Sequence, residues 1–133
     1  MKSLALGVVA VLCLTLPQSA AAILVAEGSD STSIPTAQAG GWLYSPSHVR
    51  VEVTADARAA VQVSVDLQCE RGRSNRRVQH KLKSQSGSLS RRVPLPFGHP
   101  DDCYIGVTAS YADFEQPGKI TARILGHGSL NLY

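Results

Sequence analysis

Residues 61–69 read VQVSVDLQC, and every second side chain in this stretch is apolar. The apolar set is Val61, Val63, Val65, Leu67 and Cys69, and the residues between them are polar. Side chains alternate between the two faces of a β-strand, so this pattern predicts one buried face and one wet face. A helix would scatter the same set around its axis. The stretch therefore predicts a half-buried strand that ends in a cysteine.

The same alternation recurs in five further segments, separated by turn-forming residues such as Ser86-Gly87 and Pro117-Gly118. These segments are 49–54, 77–83, 89–95, 103–111 and 120–124, with Leu130 and Leu132 as candidates for one more strand. No segment has a helical period. Six or seven short strands at this spacing predict an all-β fold, an antiparallel β-sandwich that is loosely immunoglobulin-like.

Cys69 and Cys103 both lie on the apolar side of their predicted strands. If strand direction alternates, the end of one strand and the start of the other meet at the same end of the sandwich. We therefore predict a disulfide, worth about 3–4 kcal/mol for a loop of this length. The spacing departs from the immunoglobulin pattern, because only two strands fit between the cysteines and Trp42 precedes both.

The first 22 residues have the organisation of a secretory signal peptide. Met1-Lys2 supplies a positive start, Leu4 to Leu16 an apolar stretch, and the alanines up to Ala22 a small-residue cleavage site. The alternative, a membrane span, needs about 20 apolar residues, and Pro17 interrupts any extension. We predict cleavage after Ala22 and a secreted, extracellular chain without a transmembrane segment, where two thiols would be oxidised.

Residues 23–41 are rich in Ala, Ser, Thr and Gly and have no sustained period. This composition predicts a flexible N-terminal arm. An ordered first strand at a sheet edge, beginning near Ile23-Leu24-Val25, is the alternative. The β-sandwich domain is then predicted over residues 42–133, a length that fits one domain.

Two segments resemble a known class of proteins. RRVPLP at 91–96 and DDCYIGVTA at 101–109 are similar to small exported, single-disulfide β-sandwich proteins of actinobacteria. The resemblance implies an exported sandwich. Those proteins have no assigned function, so it implies no site residues.

Charge distribution is the sharpest polar signal. Residues 71–92 read RGRSNRRVQHKLKSQSGSLSRR and contain no acid. The candidate anion-binding residues are Arg71, Arg73, Arg76, Arg77, Lys81, Lys83 and Arg92. A hairpin turning at Ser86-Gly87 would present several of them on one face and attract an anionic cell-surface polymer. Alternatively, these charges only keep an edge hairpin soluble and unpaired.

Aromatic residues and histidines leave several interpretations open. Trp42 is expected to cover one end of the core, or else to form an exposed platform with Tyr44 for a sugar or a protein. His80 falls on an apolar side, so we expect a core-edge histidine bonded to a backbone carbonyl. No nucleic acid partner is expected, because the basic segment has no interleaved aromatic residues.

His99, Asp101 and Asp102 could form a small metal site, but turns collect such residues for backbone reasons alone. We predict no metal and no cofactor.

Catalytic motifs are missing from the sequence. It contains no Gly-x-Ser-x-Gly turn, no His-Glu-x-x-His pair, no phosphate-binding glycine loop and no Cys-x-x-Cys spacing. We predict a secreted, non-catalytic binding protein that acts at or beyond the cell surface, with no catalytic residues. The alternatives are a secreted protein-binding or inhibitor module that uses loops, and a small hydrolase whose catalytic set is recognisable only by geometry.

Overall fold

The computed structural model describes residues 22–131, which form seven β-strands and no helix. The strands are β1 (Ile23–Asp30), β2 (Thr36–Ala55), β3 (Val61–Arg71), β4 (Ser74–Ser84), β5 (Ser88–Val93), β6 (Asp102–Tyr111) and β7 (Ile120–Ser129). None of the described residues belongs to a helix long and apolar enough to cross a membrane. The predicted signal peptide lies outside the described residues, apart from Ala22.

All seven strands are joined in one hydrogen-bonded sheet, and the long strand β2 divides it into two halves, which we call the first and the second sheet. The first half of β2, Thr36–Tyr44, pairs with β6, and its second half, His48–Ala55, pairs with β7 and β5. Between the halves, Ser45 has a φ of 50° and Pro46 is fully buried. The Ser45 amide leaves the strand ladder and donates to the carbonyl oxygen of Asp101 at 2.7 Å. A left-handed residue followed by proline interrupts pairing and turns the chain.

The two sheets face each other across one apolar core. The first sheet has the order β4-β3-β6-β2 and the second β1-β7-β2-β5, and every pairing is antiparallel. Large buried side chains come from both sheets: Leu43, Leu67 and Ile105 from the first, and Val51, Ile120 and Ile124 from the second. These observations confirm the predicted all-β antiparallel sandwich.

All six periodic segments are strands. The seventh strand is not the one considered at Leu130 and Leu132 but lies at the N-terminal end of the described residues. It is β1, which pairs with β7 along its length. Leu130 follows β7 and is exposed, and Leu132 lies outside the described residues. The sandwich therefore begins at Ile23, not at residue 42.

The flexible arm predicted over residues 23–41 is corrected by the structure, which has β1 and the start of β2 there. The small residues that hide a sequence period are needed for close packing. A Cβ atom on Gly28 would collide with the carbonyl oxygen of Gln38, and one on Gly41 would lie 3.0 Å from Val25 Cγ1. The alternative, an ordered edge strand, is what the structure has.

The predicted disulfide is confirmed, and it lies within one sheet. Cys69 at the end of β3 is directly opposite Cys103 at the start of β6, with 4.1 Å between their Cα atoms. That separation is nearer to the about 4.5 Å of a non-hydrogen-bonded antiparallel pair than to the about 5.5 Å of a hydrogen-bonded pair. The immunoglobulin disulfide instead joins two sheets, so the likeness to that fold ends at the two-layer arrangement.

Asp30 ends β1 and organises the turn into β2. Its carboxylate accepts the amide of Thr36 at 2.8 Å and the amide of Thr32 at 3.1 Å. These backbone donors, with Thr36 the larger contribution, hold the pKa of Asp30 below its ordinary value. A lowered carboxyl pKa contributes stability above the unfolded-state pKa, and that stability is lost as the pH falls through the folded-state pKa.

We expect Asp30→Asn to lose this part of the acid sensitivity. Urea unfolding from about pH 6 to about pH 2 should show a stability difference between wild type and variant that shrinks towards acid. Parallel curves over the whole range would contradict the role given to the carboxylate.

His80 lies on β4 opposite Val65, on the core side of the first sheet. Its Nε2 atom is buried and has no hydrogen-bond partner among the described residues. The expected bond to a backbone carbonyl is therefore wrong for this atom. An unpaired buried nitrogen costs about 1–3 kcal/mol.

We expect His80→Leu to raise the free energy of unfolding by about 1–2 kcal/mol, since leucine fills similar volume without a polar atom. His99→Leu, at an exposed turn position, should stay within about 0.5 kcal/mol of wild type in the same denaturant titration. A clear loss of stability in His80→Leu would show that the ring is satisfied in solution.

Candidate binding face

The first sheet has one side packed on the core and one side open to solvent. Pairing across the four strands places outward residues in rows. The rows are Trp42–Tyr104–Gln68–Arg77, Gly40–Gly106–Asp66–Gln79, Gln38–Thr108–Ser64–Lys81 and Thr36–Ser110–Gln62–Lys83. We call the surface formed by these four rows the open face. On β3 and β6 the residues that precede and follow each outward position are buried, so the core fixes which side chains reach the open face there. On the edge strand β4 the flanking residues are half-buried, apart from the exposed Arg76.

Trp42 and Tyr104 form an exposed aromatic pair on the open face. They are directly opposite each other on β2 and β6, with ring centroids 5.3 Å apart and planes at 62°. Trp42 is 45% exposed and Tyr104 is 39% exposed. Trp42 therefore does not cover the end of the core, and its aromatic partner is Tyr104 rather than Tyr44. Its neighbour Leu43 is fully buried, which forces Trp42 outward.

Glycines flank the aromatic pair and leave a depression beside it. Gly40 and Gly106 are opposite each other in the next row. Tyr104 leans across Gly40, where a Cβ atom would collide with its hydroxyl oxygen. The depression has a volume of about 360 Å³, and Asp66 and Thr108 line it. The two glycines thus leave room for the tyrosine ring to lie across the sheet and leave the sheet backbone uncovered beside it.

A second depression continues the first along the sheet. Its volume is about 280 Å³, and Thr108 lines both. Ser64, Lys81 and Lys83 line the second one. The seven residues from Tyr104 to Ser110 on β6 span about 20 Å. The open face is therefore one trough with aromatic rings at one end and ammonium groups at the other.

Three of the seven predicted anion-binding residues lie on the open face. They are Arg77, Lys81 and Lys83, all on the edge strand β4. Arg77 forms a long ion pair with Asp66, 3.9 Å between Nη2 and Oδ1. Neither lysine takes part in a salt bridge within residues 22–131. The positive charge of the trough is therefore concentrated at its lysine end.

Three more of these residues cluster around the β3–β4 turn. The Arg76 guanidinium lies 4.9 Å from the ring centroid of Phe97, and Arg71 donates to the Phe97 carbonyl at 3.3 Å. Arg73 is an exposed residue of the turn itself. These contacts tie two of the three cations to the loop before β6.

Arg92 lies on the second sheet, away from the other six residues. Strand β5 pairs with β2 rather than with β4, so the chain crosses between sheets after Ser84. The predicted hairpin that placed Arg92 beside Arg77, Lys81 and Lys83 is therefore wrong. Turn chemistry at Ser86-Gly87 identified a change of direction but not the strand that follows it.

His99, Asp101 and Asp102, the residues considered for a small metal site, do not come together as a group of metal ligands. Asp101 accepts the Gly72 amide at 2.7 Å, which is an ordinary turn contact. Among residues 22–131, no three His, Cys, Asp or Glu side chains gather as metal ligands. His99 and Asp101 lie in the loop before β6, and Asp102 is the first residue of that strand.

No protein-family model and no curated protein matches the sequence. Solved structures with a related strand arrangement include TmCBM61 in complex with beta-1,4-galactotriose, at 10% identity, a TM-score of 0.41, and 84% of this chain and 73% of that chain covered. A family 11 carbohydrate-binding module from Clostridium thermocellum, in complex with a mixed-linked tetrasaccharide, has 12% identity, a TM-score of 0.40 and 84% coverage of both chains. A chain of the cowpea mosaic virus top component has 12% identity, a TM-score of 0.37, and coverage of 88% and 85%. At these values the similarity carries no argument about function.

Proposed function

We propose that the open face binds an extended acidic polysaccharide without catalysing a reaction. The observation that carries this proposal is the exposed pair of Trp42 and Tyr104 beside a floor of two glycines. Aromatic side chains bury much area at little conformational cost, and their faces suit the C–H face of a sugar ring. A large aromatic pair kept in solvent by a well-packed core has no evident role in stability.

The middle of the trough suits sugar hydroxyls. Gln38, Ser64 and Thr108 lie side by side there, and Gln62 continues the polar strip. Hydroxyl and amide side chains both donate and accept hydrogen bonds, as sugar hydroxyls do. An apolar contact with a few convergent polar groups is the usual composition of a small-molecule site.

The lysine end of the trough supports an acidic ligand. Lys81 and Lys83 are alternate residues of one strand, so their backbones are about 7 Å apart on one face. Ammonium groups there would attract carboxylate or sulfate groups along a chain that stacks on the aromatic pair. The proposal keeps an anionic polymer as the partner but moves its contact from a hairpin to the sheet.

The side chains of the open face argue for binding alone. The four rows of the open face contain one carboxylate, Asp66, and no histidine or cysteine. Glycoside hydrolysis ordinarily uses two carboxylates at a defined separation. We place the activity outside the cell, because the predicted leader and the Cys69–Cys103 disulfide both fit an oxidising compartment.

The test is retention on a panel of polymers. The purified protein would be run by affinity electrophoresis through polygalacturonate, alginate, hyaluronan and carboxymethylcellulose, with hydroxyethylcellulose and galactan as neutral references. We expect retention by at least one acidic polymer and weakening as salt rises through the screening range.

The Lys81→Ser/Lys83→Ser variant should bind that polymer about fivefold to tenfold more weakly and show a smaller salt dependence. Arg73→Ser/Arg91→Ser removes equal charge outside the open face and should bind like wild type. Equal retention on neutral references, no retention on any acidic polymer, or an equal effect of both variants would overturn the proposal.

A further inference from the structure

A second group of basic side chains lies on the outer face of the second sheet. Arg50 on β2 is directly opposite Arg92 on β5, and His48 on β2 is directly opposite His127 on β7. Like charges directly opposite each other on neighbouring strands repel and destabilise a sheet. Neither salt bridge within residues 22–131 involves these arginines, since the two join Arg77 to Asp66 and Arg123 to Glu27.

Contacts within this group leave hydrogen-bonding capacity unmatched. Arg92 Nη2 lies 2.9 Å from Nδ1 of His48, and Arg50 Nη1 donates to Ser90 Oγ at 3.0 Å. The same Nδ1 of His48 lies 2.5 Å from the carbonyl oxygen of Ser47. One ring nitrogen cannot accept from Arg92 and donate to Ser47 at the same time. An acceptor that took over the Arg92 guanidinium would free Nδ1 to donate.

A depression of about 120 Å³ lies among these groups. Arg50, Arg92, His48 and His127 all line it, and the two imidazole centroids are 5.5 Å apart. The guanidinium beside Nδ1 of His48 is a permanent positive charge, which disfavours a metal cation and favours an anion.

We propose that this depression, defined by Arg50, Arg92, His48 and His127, binds a tetrahedral oxyanion: sulfate or phosphate, free or as a monoester. Planar guanidinium forks match two oxygens of such an anion, and a bound anion relieves the repulsion between the paired arginines. The opposite sheet carries the open face, so this site is independent of the polysaccharide proposal.

Proton NMR of the histidine rings provides the test, because the protein has four histidines. Sodium sulfate would be titrated into the purified protein at fixed pH, with sodium chloride at matched ionic strength as the reference. We expect saturable shifts of the His48 and His127 ring signals in the millimolar range, and no such shift for His80 or His99. Arg50→Gln/Arg92→Gln should weaken sulfate binding at least about tenfold.

Arg73→Gln/Arg91→Gln is the matched control, since it removes two charges from exposed residues that do not line the depression, and it should bind sulfate like wild type. Glucose 6-phosphate and inorganic phosphate distinguish the sources of the anion. If glucose 6-phosphate binds as tightly as inorganic phosphate, the site accepts a monoester on a larger molecule. If it binds more weakly, the site is specific for a free ion. Shifts reproduced by chloride, or unchanged in Arg50→Gln/Arg92→Gln, would overturn the inference. Lys81→Ser/Lys83→Ser should bind sulfate like wild type even where it no longer binds the polymer, so the two proposals can fail separately.

Discussion

Trp42→Ala is expected to weaken binding to the retained acidic polysaccharide about 30-fold, equivalent to about 2 kcal/mol. The indole is 45% exposed in the unbound protein and would be covered by a sugar ring in the complex. It also packs edge to face against Tyr104. Removing the indole therefore takes away a stacking surface for the sugar and the ring that packs against Tyr104. Isothermal titration calorimetry with a soluble fragment of the polymer would measure the change.

Leu24→Ala is the matched control for this variant. Leu24 is 44% exposed, nearly the same as Trp42, but it lies on β1 of the second sheet. Leu24→Ala should bind the polymer like wild type. The free energy of unfolding of both variants should lie within about 0.5 kcal/mol of the wild-type value, as is usual for exposed positions. An unchanged affinity in Trp42→Ala would remove the main support for the open face as a binding surface.

Cys69→Ala/Cys103→Ala should lower the free energy of unfolding by about 3–4 kcal/mol and the melting temperature by about 15 °C. The loop closed by the bond is 34 residues in sequence separation, and its freedom in the unfolded chain provides most of the expected effect. The bond also ties β3 to β6 next to Tyr104. Denaturant unfolding of both proteins would give the difference.

Circular dichroism provides the control, because the double variant should keep a β spectrum at low temperature. The apolar core spans both sheets and does not depend on the sulfurs alone. Wild type treated with reductant should shift to the same extent as the variant. A loss of less than about 1 kcal/mol would show that register and packing, and not the bond, fix these two strands.

The strands that the sequence predicts are those in which large apolar side chains alternate with polar ones. Val61 to Cys69 shows this alternation clearly, and both cysteines follow their strands' parity, so the disulfide follows from local information. Strand β1 remains only an alternative in the sequence because its second half, EGSD, has no apolar alternation. Gly28 packs against the backbone at Gln38, and that contact removes the hydrophobic period by which strands are recognised.

The site is harder to predict than the fold because it depends on which strands are neighbours. Parity alone indicates that Tyr104 faces solvent, but only the pairing of β2 with β6 places it against Trp42. The basic segment looks like one surface in sequence. The crossing from β4 to β5 sends Arg92 to the other sheet and leaves Lys81 and Lys83 beside the trough. Register between distant segments is set by the whole core, and no local pattern encodes it.

Trp42 is the protein's single tryptophan, so its fluorescence reports on the open face alone. Titration with the retained acidic polysaccharide should shift its emission to shorter wavelength. The shift should saturate, and it should reach half its maximum at the polymer concentration that half-retards the protein in electrophoresis. The change should diminish in high salt and in Lys81→Ser/Lys83→Ser. An emission spectrum that stays constant while the polymer is demonstrably bound would place the contact elsewhere and contradict the account.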